Sequence, residues 1–158
     1  MTRTLIAALV LLIALPAAAR DSLGVYSQWA AFRDVETPRC YAIASTKSDR
    51  TPQAYVSVGT WPALDVRGQL HIRLSRRAAK QGNVRLTIGS KRFDLSSNGQ
   101  DAWAADKAMD AAIIAAMRSA TRMSVGARSE SGTRFTDRYS LEGAATAMDA
   151  AVVGCAEL

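Results

Sequence analysis

Residues 117–155 constrain the fold most, because they form one continuous pattern of strand, turn, strand and helix. Apolar residues alternate with polar or small ones between 123 and 128, and a period of two is typical of a half-buried strand. A polar turn containing a glycine follows at 129–132, after which Phe135 and Tyr139 share one face of a second strand. A short glycine-containing link between two alternating runs predicts an antiparallel hairpin.

An alanine-rich helix is predicted to follow this hairpin. Gly143 breaks the alternation, and the segment from 144 to 153 is rich in alanine. Met148, Val152 and Cys155 recur at i, i+4 and i+7, a spacing that places side chains on one face of a helix. We therefore expect that face, including Cys155, to be apolar and to pack against the sheet.

This C-terminal segment resembles the signature of the invasion-associated locus B family, in which the run S-x-x-G-T-x-x-x-D-x-Y-S-L-x-G precedes a short helix closed by a cysteine. The matching positions are Ser129, Gly132, Thr133, Asp137, Tyr139, Ser140, Leu141, Gly143 and Cys155. Ala144 departs from the pattern, because the family often has an aromatic residue there. The resemblance implies a small secreted or periplasmic protein with a β-sandwich-like fold, in a family where most members have no known activity.

The motif is open to two interpretations, a binding site or a folding element. Gly132 suits a positive φ in the turn. Asp137 shares the nominal face of Phe135 and Tyr139, where an acidic side chain needs a buried partner or a bulge that turns it outward. We favour the structural interpretation, and the binding interpretation stays open.

The first 19 residues have the order of a secretory signal peptide. Arg3 precedes an eleven-residue apolar run at 5–15, and small residues follow at 17–19. A run of that length is too short to span a bilayer, and no later apolar run is long enough to do so. We predict a signal peptide at 1–19 and one domain at 20–158, exported to the periplasm, the outer envelope or the medium. The alternative is a buried N-terminal helix.

The middle of the chain predicts an antiparallel sheet. Further strands are expected at residues 25–32, 40–46, 54–61, 69–75, 84–88, 91–95 and 101–104. Loops are expected at 34–39, 47–53 and 96–99, and a helical turn at 76–80. Gly89 and Ser90 separate two alternating runs, which predicts a two-residue turn of type II′.

A first alanine-rich helix is predicted before the C-terminal hairpin. Asp106 is suited to cap a helix that runs to Arg118, with Met109, Ile113 and Met117 along its apolar side. About eight short strands with two late helices favour a mainly β fold. We predict an antiparallel, β-sandwich-like single domain with two short alanine-rich helices in its C-terminal third.

The interval from 67 to 92 is strongly basic and contains no acidic residue. Its basic residues are Arg67, Arg73, Arg76, Arg77, Lys80, Arg85, Lys91 and Arg92. Arg73 and Arg85 face outward by alternation, so we expect neighbouring strands to join them into one positive face that concentrates anions. After export the candidate anions are lipopolysaccharide phosphates, anionic lipid headgroups and acidic glycans, and nucleic acid is a poor candidate. The alternative is a solvated face whose charges protect a sheet edge.

The sequence contains no recognisable catalytic, metal-binding or cofactor-binding pattern. His71 is the only histidine and is predicted to point outward. The sequence has no G-x-S-x-G motif that would supply a nucleophilic serine for it. One histidine and two distant cysteines are too few for a zinc site, and C-x-x-C, phosphate-loop and dinucleotide motifs are absent. Asp137 and Glu142 are better explained by local hydrogen bonds than as a catalytic pair. We therefore predict no catalytic residue, no metal and no cofactor.

A disulfide between Cys40 and Cys155 is predicted. An exported chain meets an oxidising compartment, where paired cysteines usually form disulfides, and this chain has only two cysteines. Cys40 begins a predicted strand, so the bond would attach the last helix to the sheet. The alternative is two buried free thiols.

These patterns favour a non-enzymatic binding protein of the envelope. Its partner is expected to be an anionic component of the envelope or of a host surface, contacted through the basic residues. The alternative function is a periplasmic enzyme with an unrecognised active site. A carboxylate in a deep pocket would favour the enzyme, whereas a flat charged face would favour binding.

Overall fold

The computed structural model describes residues 20–46, 53–156 and 158. The predicted signal peptide and most of the predicted 47–53 turn lie outside these residues. The described residues form ten strands: β1 (Asp21–Tyr26), β2 (Trp29–Asp34), β3 (Arg39–Ser45), β4 (Tyr55–Trp61), β5 (Val66–Arg73), β6 (Val84–Ile88), β7 (Lys91–Asn98), β8 (Asp101–Trp103), β9 (Arg122–Arg128) and β10 (Arg134–Ser140). They also form two helices, α1 (Lys107–Ser119) and α2 (Ala144–Gly154), and a 3-10 turn at Pro62–Leu64.

The strands form one antiparallel sheet in the order β1-β2-β3-β4-β5-β8-β7-β6-β9-β10. Strand β7 belongs to both parts of this sheet, because residues 91–95 pair with β6 and residues 96–98 pair with β8. A strand shared in this way is a usual means of turning the corner of a sandwich. The predicted antiparallel, sandwich-like β domain with two C-terminal helices is confirmed.

The hydrophobic core lies on the inner face of the sheet. Alternate residues of the strands are buried, among them Ala42 in β3, Ile72 in β5 and Val125 in β9. Helix α1 packs on β5, β6 and β7, whereas α2 packs on β1 to β4. Both helices add buried residues to the same core, which is consistent with one domain.

A buried tryptophan connects the two ends of the sheet. Trp29 of β2 is fully buried, and its indole Nε1 donates a 2.9 Å hydrogen bond to the carbonyl oxygen of Ser140 at the end of β10. The bond satisfies the polar group of a buried indole. It also fixes the last strand close to the first hairpin.

Three local predictions differ from the structure. The segment 25–32 is not one strand, because a turn at Ser27, with φ 55°, separates β1 from β2. The segment 76–80 is not helical, since Ala78 forms an isolated bridge with Ser129. The predicted loop at 96–99 is mostly strand, because β7 continues to Asn98 and pairs there with β8.

The hairpin and helix-cap predictions agree with the structure more closely. Ile88 pairs with Lys91, and of the two linking residues only Gly89 has a positive φ, which is the pattern of a type II′ turn. The Asp106 side chain accepts a 2.8 Å hydrogen bond from the Met109 amide and caps α1 as predicted.

The predicted apolar stripe of α2 is wrong at one position. Met148 and Cys155 are buried, but Val152 is 58 % exposed. The buried side of α2 is set by Ala147, Met148 and Ala151, and with 3.6 residues per turn Val152 lies beyond its edge. The small alanine side chains allow the helix to lie close to the sheet.

The predicted disulfide is present. Cys40 of β3 and Cys155, directly after α2, are bonded with their Cα atoms 5.6 Å apart. The bond spans a sequence separation of 115 residues and attaches the end of α2 to the sheet. Neither cysteine of the chain is left as a free thiol.

Candidate anion-binding face and adjoining cleft

The outward surface of four neighbouring strands, β7, β6, β9 and β10, is rich in arginine. The register aligns the outward residues in rows across the strands, and one row runs through Arg138, Ser124, Thr87 and Arg92. The exposed arginines of this surface are Arg85, Arg92, Arg122, Arg128, Arg134 and Arg138. We call these six residues the arginine face.

The arginine face is almost free of acidic residues. Asp94 is the one acid among the outward positions of these strands, and it accepts a 2.8 Å hydrogen bond from Nε of Arg85. This hydrogen bond lowers the pKa of Asp94 and raises that of Arg85. Across the described residues, none of the other five arginines of the face forms an ion pair with a carboxylate.

Two arginines of the face stand directly opposite each other. Arg134 of β10 pairs in register with Arg128 of β9. Like charges at directly opposite positions of a ladder destabilise a sheet. Arg128 directs Nη1 to the carbonyl oxygen of Gly132 at 3.1 Å, which leaves its charge without a counter-charge. The sheet thus carries a concentration of positive charge that its own packing does not require.

The predicted basic patch is divided by the order of the strands. Strand β5, with Arg67 and Arg73, is separated from β6 by β8 and β7, so the expectation that these strands are neighbours is wrong. The reason is that residues 74–83 cross from one part of the sheet to the other. Of the eight predicted residues, Arg85 and Arg92 lie on the arginine face.

Acidic residues from outside the basic interval pair with half of the predicted patch. The pairs are Arg67–Asp65, Arg73–Asp101, Arg77–Glu130 and Arg85–Asp94. Arg76, Lys80 and Lys91 form no ion pair with any described residue. The interval itself gave no sign of these pairs, because every acidic partner lies before residue 67 or after residue 92.

His71 belongs to one of these ion-pair clusters. Its Nε2 is 3.0 Å from Oδ1 of Asp101, and Nη1 of Arg73 donates to Oδ2 of the same carboxylate at 2.7 Å. Burial acts to raise the pKa of Asp101, but the hydrogen bonds from Arg73 and His71 outweigh it and leave that pKa below its ordinary value. In the described chain no hydroxyl group hydrogen-bonds to His71, so a Ser-His-Asp arrangement is not formed there.

A cleft of about 1240 Å³ lies beside β10 and adjoins the arginine face. Its floor includes the inward residues Phe135, Asp137 and Tyr139 of β10. Its lining also includes residues at the ends of β3 and β4 and in the segment after β5, namely Ala44, Ser45, Thr46, Ala54, Ser75 and Arg76. Arg122, Arg134 and Arg138 also line the cleft, so the face and the cleft form one continuous surface.

Asp137 and Tyr139 line the cleft from buried positions. Asp137 is 6 % exposed and accepts a 2.9 Å hydrogen bond from the backbone N–H of Ser75, which is the partner that an inward acid requires. The hydroxyl of Tyr139 is buried and has no hydrogen-bond partner among the described residues. Burial, together with the charge of Asp137, raises the pKa of Tyr139, so its hydroxyl remains a neutral donor.

Several other residues of the C-terminal motif make structural contacts. The Ser129 hydroxyl donates to the carbonyl oxygen of Thr133 at 3.1 Å inside the turn, and the Ser140 hydroxyl accepts from the amide of Glu142 at 3.2 Å. Gly143 is the N-cap residue that precedes α2, with φ 86°. These contacts support the interpretation of the motif as a folding element, with Asp137 and Tyr139 also in the lining of the cleft.

In the part of the chain that the structure describes, no metal-holding group is found, and Asp137 and Glu142 do not come together. No group of three or more His, Cys, Asp or Glu residues there is arranged to hold a metal ion. Asp137 is buried whereas Glu142 is exposed, so these two carboxylates do not form a pair. Among the same residues, no helix is both long enough and apolar enough to cross a membrane.

Sequence reasoning missed four of the six arginines of the face, Arg122, Arg128, Arg134 and Arg138. The local sequence does indicate that these four arginines face outward, because they occupy the polar positions of two alternating strands. The apolar positions of the same strands predicted the hairpin. Their alignment with Arg85 and Arg92 was not visible, since it depends on the pairing of β6 with β9.

Comparison with known proteins identifies a family and a similar solved structure. The sequence model described as "Invasion associated locus B (IalB) protein" matches residues 30–152. Among solved structures, the crystal structure of invasion associated protein B from Bartonella henselae is similar, with a TM-score of 0.64 and 14 % sequence identity. That match covers 82 % of this chain and 95 % of the other. No curated protein matches the sequence.

Proposed function

Because the chain belongs to the invasion associated locus B family, we propose that it is an exported binding protein whose arginine face contacts an anionic surface. The observation that carries the proposal is the group of five exposed arginines on one sheet face that form no ion pair among the described residues. The partner is an anionic component of the bacterial envelope or of a host cell. The name of the Bartonella relative, invasion associated protein B, is in keeping with a partner at a cell surface.

The arrangement of the arginines suits a partner with many anionic groups. A single exposed ion pair contributes only about 0–1 kcal/mol, so useful affinity needs several contacts at once. Arginine binds phosphate and carboxylate groups through two parallel hydrogen bonds, which lysine does not. A sheet face that spans four strands presents such groups to a layer of headgroups or to an acidic polymer. The chemistry of the partner is therefore repeated phosphate, carboxylate or sulfate groups on an extended surface.

Export is part of this proposal. The disulfide between Cys40 and Cys155 supports it, because disulfides persist in the periplasm and outside the cell and are rare in the bacterial cytoplasm. The charge and apolar pattern of residues 1–19 gives a second, independent indication. An exported protein meets anionic lipids and glycans in its own compartment.

The enzymatic alternative has weaker support. The cleft contains a buried carboxylate, Asp137, as an enzyme would need, but this carboxylate already accepts the Ser75 amide. The described lining of the cleft includes hydroxyl groups, but it includes no histidine, cysteine or lysine that could act with Asp137 or activate one of them. Binding is therefore the function that the geometry favours.

A vesicle-binding experiment tests the proposal. The mature protein is mixed with vesicles of pure phosphatidylcholine or of phosphatidylcholine with phosphatidylglycerol, and bound protein is measured after sedimentation. A parallel arm uses immobilised heparin to represent acidic glycans. We expect the protein to bind the vesicles that contain phosphatidylglycerol and the immobilised heparin, but not the vesicles of pure phosphatidylcholine. Binding should fall steeply as the salt concentration rises, because counter-ions screen exposed charges beyond about 10 Å at 0.1 M.

Two matched triple variants distinguish binding through the arginine face from attraction by the net charge of the protein. The test variant replaces Arg122, Arg134 and Arg138 with Gln. The control replaces Arg67, Arg73 and Arg77 with Gln, which removes the same formal charge from residues that are paired with acids elsewhere on the molecule. The test variant should lose most of its binding and the control should retain it. Equal losses in both variants would mean that net charge alone attracts the protein, and the proposed face would be abandoned.

A further inference from the structure

Strand β10 has one edge that no other strand covers. It is the last strand in the sheet order, and β9 is its one strand neighbour among the described residues. Leu141, just after β10, donates its amide to the Thr121 carbonyl on the β9 side. Ser140 presents its carbonyl to Trp29 on the other side. Because backbone groups alternate in direction along an antiparallel strand, the even-numbered residues 134–140 direct N–H and C=O away from β9.

These outward backbone groups have no hydrogen-bond partner in the described structure, apart from the Ser140 carbonyl, which accepts from the Trp29 indole. Free edges of this kind are templates for pairing with another chain, and proteins usually blunt them. The opposite edge of the sheet is blunted, since β1 has a register shift between Ser22 and Gly24. Strand β10 pairs with β9 over seven residues without a bulge, and it contains no proline.

The cleft beside β10 runs along this edge. Its lining includes every residue from Arg134 to Ser140, together with residues at the ends of β3 and β4 and the Ser75 segment. Its volume of about 1240 Å³ exceeds the roughly 300–1,000 Å³ of a typical small-molecule pocket. An added strand needs a spacing of only about 4.8 Å from its neighbour, so an extended peptide is an occupant of suitable shape.

We propose that β10 is a strand-addition site, which receives an extended segment with acidic side chains at alternate positions. Main-chain hydrogen bonds to Thr136 and Arg138 would supply the pairing, and side chains on alternate positions would supply specificity. On the outward side the segment meets Arg134 and Arg138, which form no ion pair in the described structure. On the inward side it lies along the cleft, whose lining includes Phe135 and Tyr139.

Charge argues against a second copy of this chain as the occupant. Antiparallel pairing of two β10 strands would bring Arg134 and Arg138 of each copy next to the same residues of the other. Like charges at neighbouring cross-strand positions are destabilising. The same arginines attract an acidic segment, so they select for an unlike partner rather than for self-association.

A peptide with controlled backbone chemistry provides the test. The probe is a nine-residue peptide of alternating Glu and Thr, fluorescently labelled, whose binding to the mature protein is measured by anisotropy. Two further peptides of the same composition carry N-methyl groups on the amides of the Glu residues or on those of the Thr residues. Whether the peptide pairs parallel or antiparallel to β10, the N-methyl groups of one of these two peptides face β10. That peptide should bind at least about tenfold more weakly than the parent, because two or more net hydrogen bonds are lost. The other methylated peptide should bind as the parent does.

Variants of the protein at Thr136 test the same pairing. Its amide points away from β9, so Thr136→Pro removes an edge donor without breaking the β9 ladder, and proline is tolerated on edge strands. Thr136→Ala serves as the control, because it removes the side chain and keeps the amide. We expect Thr136→Pro to lose affinity for the parent peptide and Thr136→Ala to keep it. In the wild-type protein, the amides of Thr136 and Arg138 should become protected from hydrogen exchange when the peptide is bound.

The outcomes distinguish this inference from the proposed function. Equal binding of both methylated peptides, without new protection at Thr136 and Arg138, would show simple attraction to the arginine face. That result would overturn strand addition and leave the proposed function intact. A dimer that forms in the absence of peptide and is broken by Thr136→Pro would overturn the choice of an acidic partner. Vesicle binding without peptide pairing, or pairing without vesicle binding, would separate the two proposals.

Discussion

Asp137 accepts a hydrogen bond of 2.9 Å from the backbone N–H of Ser75, a residue 62 positions earlier in the chain. The two residues do not lie on neighbouring strands, because β10 ends the sheet and Ser75 follows β5 in its middle. The bond therefore joins the two parts of the sheet through two residues that both line the cleft. It explains why an acidic residue faces inward within a strand whose other inward residues are Phe135 and Tyr139.

Replacing Asp137 with alanine should destabilise the protein. The Ser75 amide would lose its acceptor, and leaving this partly buried donor unsatisfied costs up to about 1–3 kcal/mol. Asp137→Asn should cost less, because the side-chain amide oxygen can accept the same hydrogen bond. Urea denaturation of both variants at neutral pH measures the difference. Equal stability of Asp137→Ala and the wild type would show that water satisfies Ser75.

Gly143 should tolerate no side chain. It has φ 86°, and a Cβ atom built on it would overlap the backbone carbonyl of Tyr26. The left-handed conformation alone costs an L residue about 1–2 kcal/mol, and a clash with backbone adds roughly 1–3 kcal/mol more. We expect Gly143→Ala to lower the melting temperature strongly or to prevent folding.

Gly132 provides the matched control for this prediction. Its φ is 81°, but nothing lies within 4 Å of the Cβ position. Gly132→Ala should therefore cost only the conformational part, about 1–2 kcal/mol. A similar loss in both variants would mean that the segment around Tyr26 moves aside for the Gly143 substitution.

Local sequence patterns predicted those parts of the fold that local physics determines. The alternation in β9 and β10, the link at Gly89 and the cap at Asp106 each depend on residues within a few positions of one another. The break between β1 and β2 was missed because Ser27 has a positive φ without glycine or proline to indicate it. The segment 76–80 was missed because its bridge to Ser129 is non-local.

The candidate site was predictable only in part, for the same reason. The positive charge of Arg85 and Arg92 was evident from the sequence, and so was the alternation that exposes Arg134 and Arg138. The partners were not evident, since the pairing of β6 with β9 and the contact of Arg73 with Asp101 follow from the strand order. That order is set by the packing of the whole core and cannot be predicted from a short window of sequence.

Asp110 should make the folded protein less stable as the pH rises, whereas an ion-paired acid with a lowered pKa has the opposite effect. Its carboxylate accepts the Leu70 amide at 2.8 Å, but burial raises its pKa, and the charge of Asp106 adds to the effect. A folded-state pKa above the unfolded value gives stability that is complete below the unfolded pKa, about 3.9, and is lost as the pH rises through the folded pKa.

The variant Asp110→Asn tests this pH dependence. Asparagine keeps an acceptor for Leu70 and removes the ionisable group. The stability of the wild type relative to the variant should fall as the pH rises from about 4, and it should level off once Asp110 is ionised. Urea denaturation at a series of pH values measures the trend. A relative stability that rises with pH would contradict a raised pKa for Asp110.

The exported protein should begin at Arg20 or within a few residues of it. The basic start, the apolar run and the small residues of 1–19 favour cleavage after Ala19. N-terminal sequencing of protein recovered from the envelope fraction or the medium gives the answer directly. An intact Met1 on that protein would contradict both cleavage and the proposed domain boundary at 20.

The Cys40–Cys155 bond should contribute a large share of the stability. It closes a loop with a sequence separation of 115 residues, and constraint of the unfolded chain by a loop of that size stabilises by up to about 4–5 kcal/mol. Small domains are stable by only about 5–15 kcal/mol in total, so reduction should lower the melting temperature by a clearly measurable amount. Because Cys155 lies directly after α2, reduction should release that helix first.

Intact mass after alkylation tests the bond in the exported protein. Denatured, unreduced protein should take up no alkyl groups, and reduced protein should take up two. A Cys40→Ala/Cys155→Ala variant serves as the control, because its melting temperature should match that of the reduced wild type and should not respond to reductant. Helix α2 packs on β1 to β4 through Ala147, Met148 and Ala151 as well, so the variant should still fold. Two alkyl groups on unreduced wild-type protein would show free thiols and refute the disulfide.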